Sequence, residues 1–353
     1  MMLRTILVKI AHQRKYIVLM GCLSIYLYFQ YGNSSPSRHC TSFSFHEYPP
    51  SGTPRAFPQV KKRERREEFR MEFPLDNVLD IVESIQATGK TTANPINNAL
   101  NYYNTSYNSN CSDEVELVII VKSYVGNFLQ RAAIRSTWGK SSNNTVKVCF
   151  VTGYSKLHED ILRLEYLNFK DIIQFSFFDR YRNNIYKTMM SYKWIVRHCS
   201  SSRFVFFSDD DFYVNIQNIL QFSYHNVINN TMYGHQQLYS RPIRNQRSKW
   251  YISEEQYPFD RFPTFLSGGA ILTHISVVRR LHIAFPYVKI IDLDDVYVAI
   301  VAHKLNITLL NNKRFAIEEK KRTDVDNIMS SHEYKMPADL FQAWENYSRG
   351  NVI

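Results

Sequence analysis

The chain has 353 residues, of which 44% are hydrophobic, so it can hold one large domain or two ordinary ones around a sizeable core. Its formal charge of +11 invites a nucleic-acid reading. No nucleic-acid-binding motif accompanies that charge, and much of it lies near the N-terminus, so no nucleic-acid partner is expected.

Residues 1–15 carry Arg4, Lys9, Arg14 and Lys15 and no acid. Residues 16–31, YIVLMGCLSIYLYFQY, carry no charge. That run is slightly short of the roughly 20 residues a helix needs to cross a bilayer. With no small-x-small cleavage site, it reads as an uncleaved signal anchor rather than a signal peptide. The positive-inside rule then places residues 1–15 in the cytosol and everything after Tyr31 in a lumen. A short span suits a thin, Golgi-type membrane. N-x-S/T sequons at Asn33, Asn104, Asn110, Asn143, Asn229, Asn306 and Asn346 agree with a lumenal body. So do Cys40, Cys111, Cys149 and Cys199, whose pairing the sequence leaves open among three arrangements.

Residues 32–114 hold SSPS, YPPSGTPRAFP and NYYNTSYNSNCS around the mixed-charge run KKRERREEFR, and read as a stem. A catalytic domain is expected from 115 to 353. VELVIIV (115–121) is a buried strand, RAAIRSTWG (131–139) a short helix, and TVKVCFVTG (145–153) a second strand. SKLHEDILRLEYLNF has helical spacing, DIIQFSF (171–177) is a third strand, and IYKTMMSYKWIVRHC (185–199) is an amphipathic helix. RFVFFS (203–208) is a fourth strand. Alternating strands and helices predict an α/β fold with a mainly parallel sheet, binding its ligand at the strands' carboxyl ends.

The fourth strand runs straight into Asp209, Asp210 and Asp211. In an extended chain, residues two apart share a face, so Asp209 and Asp211 would face one site and Asp210 would point elsewhere. Two such carboxylates form half a site for Mn²⁺ or Mg²⁺ bridging to the phosphates of a nucleotide. In a lumenal protein the expected diphosphate belongs to a nucleotide-sugar. A cation among the three acids would relieve their repulsion, and the metal is the expected one.

Six blocks in order, RAAIRSTWG, FVTG, DIIQFSFFDRYRNNIYKT, FVFFSDDDFYVN, YPFDRFPTFLSGGAILT and DLDDVYVAIVAHKLNI, span about Val118 to Ile307. Together they resemble the Golgi β-1,3-galactosyltransferase family, which includes β-1,3-N-acetylglucosaminyl- and N-acetylgalactosaminyltransferases. The resemblance implies a GT-A-type nucleotide-sugar-binding fold, a UDP-sugar donor, Mn²⁺, and inverting transfer to the 3-hydroxyl of an acceptor glycan on protein or lipid. Galactose is the first expectation for the sugar. The other reading is a non-catalytic relative that binds glycans or assists another enzyme.

Site residues follow from the same blocks. Arg131 and Arg135, one helical turn apart, suit the donor diphosphate. The resemblance places donor contacts at Asp179, at Asn183 or Asn184, and at Lys187, and Asp210 joins this group. Gly268 and Gly269 suggest a tight turn and close backbone approach to a sugar. The aromatic, basic stretch 238–263 suggests an acceptor wall, with Trp250 and Tyr257 stacking on sugar rings. The resemblance maps the catalytic base to Asp295. Asp294 stands before it in place of the usual Glu, which leaves open which of the two is the base. Ala270 and Ala299 also depart from the family pattern, which often has an aromatic residue and a glycine there.

Overall fold

In the computed structural model, residues 77–98, 104–140, 144–317 and 327–348 are described. The predicted anchor, Cys40, Asn33 and Asn143 lie outside them. No helix among the described residues is long and apolar enough to cross a membrane.

β2 (Leu117–Lys122) is buried along its whole length, as a continuous apolar run predicts for a strand covered on both faces. It lies between β3 (Val146–Tyr154) and β5 (Phe204–Asp209), parallel to both, and β4 (Ile172–Phe178) pairs parallel with β3. The expected α/β class with a mainly parallel sheet is therefore present. Each parallel crossover carries a helix: α2 (Phe128–Ser136), α3 (Glu159–Phe169) and α4 (Asn184–His198).

Among the described residues the sheet has eight strands, in the order β1-β4-β3-β2-β5-β8-β7-β9. Beyond β5 one strand is reversed: β8 (Phe265–His274) is antiparallel to β5 and to β7 (Thr231–Gln237), so β7 and, parallel to it, β9 (Thr308–Asn311) run in the direction of β5. A short β6 (Tyr213–Val214) pairs with β10 (Ser330–Ser331), which brings the C-terminal segment beside the three acids.

α5 (Ile216–Asn226) follows β6 and is capped by the Asn215 side chain, which accepts from the amide of Asn218. α6 (Ile275–Ala284) follows β8. α7 (Asp294–Lys304) is buried from Val296 to Ala302 and packs on β8. A helix that is apolar around its circumference belongs inside the protein. α8 (Pro337–Ser348) ends the described chain.

Two elements fall in the span read as stem. β1 (Thr105–Tyr107) pairs antiparallel with β4. α1 (Val78–Thr88) buries Val78, Ile81 and Val82 and packs on α6. Gly89, at φ 72°, closes α1 in the left-handed conformation that glycine tolerates best. The folded unit thus begins before residue 115.

Cys111 and Cys199 form a disulfide that ties the segment before β2 to the end of α4. Cys149 is a buried free thiol, its pKa pushed up to about 12 by burial.

Candidate functional site

A cleft of about 510 Å³ opens at the carboxyl ends of β2 and β5, where the strand direction changes. The three acids line it together with Asp179, Lys187, Trp250, Gly268, Gly269, Asp294 and Asp295.

Parallel register sets the floor. Lys122 ends β2 directly beside Asp209 at the end of β5. The Lys122 side chain is only 7% exposed, and its Nζ lies 3.3 Å from Asp209 Oδ1 and 2.8 Å from Asp294 Oδ2. Burial opposes the ammonium charge, but Asp209 and Asp294 outweigh it and hold the pKa above the usual lysine range. Lys122 is therefore a cation built into the protein beside Asp209 and Asp294. The sequence did carry a signal, a lysine closing an apolar run, but it did not say what that lysine would meet.

The strand ends at Asp209, so the alternation expected for the three acids stops there, and Asp210 and Asp211 sit in a turn. Asp210 does not point away from the cleft. Its Oδ2 accepts from Ser123 Oγ at 2.6 Å and from Asn127 Nδ2 at 3.0 Å, which anchors the loop after β2. Asp209 is drawn to Lys122, and burial followed by neighbouring acids pushes its pKa up to about 6. Asp211 faces the other way, with Oδ2 3.0 Å from His332 Nε2. That contact raises the histidine's pKa.

Asp211 Oδ1 is buried without a hydrogen-bond partner. An orphaned carboxylate oxygen beside an imidazole fits a hard divalent cation, which needs few protein ligands when a diphosphate supplies others. Among the described residues no three acidic, histidine or cysteine side chains already form a cage. Nothing in the sequence pointed to His332, because 121 residues separate it from Asp211.

The two acids that open α7 have different surroundings. Asp294 Oδ2 takes Lys122 Nζ at 2.8 Å and Thr188 Oγ1 at 2.7 Å. Burial disfavours its charge, but Lys122 prevails and the pKa is lowered. Among the described residues, Asp295 Oδ1 accepts from the amide of Val296 alone, at 2.8 Å. Burial and then the adjacent ionised Asp294 push its pKa up to about 7. One acid is fixed in place, and the other is available to accept a proton.

Several expected ligand contacts are absent from the cleft. Arg131 is fully buried and forms a two-bond ion pair with Glu165, at 2.9 and 2.7 Å. Its guanidinium also donates to Ser123 Oγ and to the carbonyls of Tyr124 and Val125, so it supports the loop after β2 from behind. Arg135 is held by Asp171 and Glu165. Helical spacing put both arginines on one face as expected, but that face looks into the protein.

Lys187 and Asp179 line the cleft yet pair with each other at 2.7 Å. Asp179 also accepts the amides of Val125 and Gly153. Asn183 turns inward to donate to the Phe178 carbonyl, and Asn184 is the residue that lines the cleft.

Tyr257 is fully buried against Phe259 and Phe262, its hydroxyl donating to the Arg261 carbonyl, so it cannot stack on a ligand. Arg244 pins that part of the loop by donating to the carbonyls of Ile252, Tyr257 and Phe259. Trp250 is 50% exposed on the cleft wall.

Gly268 and Gly269 lie within β8, neither with positive φ, so no tight turn forms there. They are small because side chains crowd them. A Cβ at 268 would lie 3.1 Å from Asp295 Cβ, and one at 269 would lie 2.3 Å from the Phe212 ring. Ala270, where the family often has an aromatic residue, is buried opposite Ser208.

The galactosyltransferase family profile matches residues 129–313. The β-1,3-galactosyltransferase brn of Drosophila melanogaster is 32% identical over 249 residues, covering 67% of this chain and 75% of that protein. Mouse β-1,3-galactosyltransferase 5 is 31% identical over 240 residues, 65% of this chain and 78% of that one. Mouse N-acetyllactosaminide β-1,3-N-acetylglucosaminyltransferase 4 is 28% identical over 221 residues, 60% of this chain and 63% of its own length. The profile match includes β2's neighbours, the three acids and both acids of α7, and on these grounds the chain belongs to the galactosyltransferase family.

Proposed function

We propose that this glycosyltransferase moves a hexose, galactose first among candidates, from a UDP-sugar to the 3-hydroxyl of an acceptor glycan on protein or lipid, giving a β-1,3 linkage with inversion. The observation that carries the reading is the division of labour at the start of α7. Lys122 and Thr188 hold Asp294, while Asp295 presents a carboxylate to the cleft beside Gly268. An inverting transfer needs one base at the acceptor hydroxyl. Asp295 accepts that proton as the hydroxyl oxygen bonds to the anomeric carbon and the carbon–oxygen bond to the diphosphate breaks. Asp294 orients the helix start and takes no proton.

Asp211 and His332 are the residues that would hold Mn²⁺, or Mg²⁺, with Asp209 next in line. When bound, the ion neutralises charge on the departing diphosphate. The named relatives include both galactosyl- and N-acetylglucosaminyltransferases. The test is accordingly a panel of UDP-sugars with galactose-, glucose- and N-acetylhexosamine-terminated acceptors, followed by linkage analysis. A β-1,3 product is expected with one donor strongly preferred. Absence of transfer from every donor overturns the reading. Asp211→Ala is expected to fold normally and lose at least about 100-fold in turnover at saturating Mn²⁺. Retained Mn²⁺-dependent activity removes Asp211 from the ion site.

The compartment reading is a Golgi-type lumen, with the chain anchored by residues 16–31. In support, the described sequon asparagines, Asn104, Asn110, Asn229, Asn306 and Asn346, are all exposed. Thr231 and Thr308 pair across β7 and β9, so the sequons of Asn229 and Asn306 lie side by side at the starts of parallel strands, away from the cleft. Full-length protein from secretory-competent cells is expected to shift on glycosidase treatment, with peptides carrying Asn229 or Asn306 among those modified. No shift at all overturns the lumenal orientation.

A further inference from the structure

The expected phosphate-binding cations are committed elsewhere: Arg131 and Arg135 to Glu165 and Asp171, and Lys187 to Asp179. Lys122 is taken up by Asp209 and Asp294. Two other cations line the cleft, Arg180 and Lys249. Both are exposed, and neither has a carboxylate partner among the described residues. A diphosphate brings about two negative charges into a cleft already lined by acids. Uncommitted cations at its wall are what that ligand requires.

Lys249 is also held in place. Its Nζ lies 4.5 Å from the centre of the Trp250 ring and 5.5 Å from that of Tyr181. Next to it, Arg182 lies over the Tyr251 ring at 5.7 Å and pairs with Asp292 at 3.1 Å, which ties the 249–251 loop to the segment that leads into α7. Tyr181 is close enough to Asp294 and Asp295 that, after burial, these acids help push its pKa up to about 12. The ammonium group thus lies between two aromatic rings, one of which borders the reacting end of the cleft. A cation fixed there, with no protein counter-charge, has little orientational freedom to lose when an anion arrives.

We propose that Lys249, with Arg180 beside Tyr181, binds the diphosphate of the nucleotide donor and supplies the positive charge first expected from Arg131, Arg135 and Lys187. This assignment rests on the donor reading given above. It predicts that the cation acts on the phosphates and not on the nucleoside.

The test compares binding of UDP, UMP and uridine by calorimetry in saturating Mn²⁺ for the wild-type protein, Lys249→Met, Lys249→Arg and Arg180→Met. Lys249 is exposed and methionine keeps its length without its charge, so the fold is expected to persist, with an unchanged circular-dichroism spectrum and Tm. UDP affinity is expected to fall about 10- to 100-fold in Lys249→Met, the range for a lost hydrogen bond to a charged group. Uridine affinity should stay unchanged and Lys249→Arg should recover most of the loss. Arg180→Met should show a smaller loss with the same selectivity for the phosphates. Equal losses for UDP and uridine, or undiminished UDP binding in Lys249→Met, overturn the assignment. So does a variant in which only the acceptor KM rises, which would place Lys249 on the acceptor. A wild-type protein that binds no UDP at all overturns the donor reading together with this one.

Discussion

Asp295→Asn is expected to lose about 10²- to 10⁴-fold in kcat, the usual worth of a general base, with UDP and Mn²⁺ affinity nearly unchanged. The amide oxygen can still accept from Val296, whose amide is 2.8 Å from Asp295 Oδ1, so the helix start survives. Asp294→Asn serves as the comparison. It removes the negative charge that the buried Lys122 pairs with, and should lower stability as well as activity.

The pH dependence separates the two acids further. Asp295 must be ionised to accept a proton, and its pKa stands at about 7 against an ordinary 3.8. Activity should therefore climb as pH rises through about 7, and this acid limb should vanish with the residue. Stability runs the opposite way. A carboxyl whose folded pKa is raised contributes fully below its ordinary pKa, and that contribution is lost as pH rises through the folded value. In metal-free protein at pH 8, Asp295→Asn should thus melt no lower than wild type, whereas Asp294→Asn should melt lower. A near-normal kcat in Asp295→Asn, with collapse in Asp294→Asn, would move the base by one residue.

The second large effect is expected at Lys122. Lys122→Met keeps the length and apolar stem but leaves Asp294, 18% exposed, without its cation. Removing one partner of a buried ion pair costs about 3 kcal/mol or more, because the other charge stays uncompensated. Asp209 adds little to that figure, since its side chain is 37% exposed and water screens it. Tm should fall by roughly 5 °C or more. Turnover should fall as well, because Asp294 no longer fixes the first turn of α7. The double variant Lys122→Met with Asp294→Leu should recover much of the stability and none of the turnover. A single Lys122→Met variant with wild-type Tm would show that the ion pair is not what holds these acids.

Much of the parallel half of the fold was legible in the chain. VELVIIV, TVKVCFVTG, DIIQFSF and RFVFFS became β2 to β5 within a residue or two, because an apolar run of that length has little alternative to a strand buried on both faces. The half beyond β5 was not read in detail, since β7, β8 and β9 take their places from pairing partners distant in sequence. α1 and β1 hid in a turn-rich span because their apolar residues make sense only against α6 and β4.

Local order determined that three acids follow a buried strand and that two acids open a helix, and those patterns alone mark a site at the carboxyl end of a sheet. Tertiary structure decided the role of each charge. Helical spacing could put Arg131 and Arg135 on one face, but only packing could turn that face toward Glu165 and Asp171. Strand register set Lys122 against Asp209, and the return of the C-terminal segment set His332 against Asp211. A side chain's type and spacing are local properties. The charge that it meets is fixed by contacts between residues far apart in sequence, so a cation's partner, and an acid's readiness to take a proton, emerge only in the folded molecule.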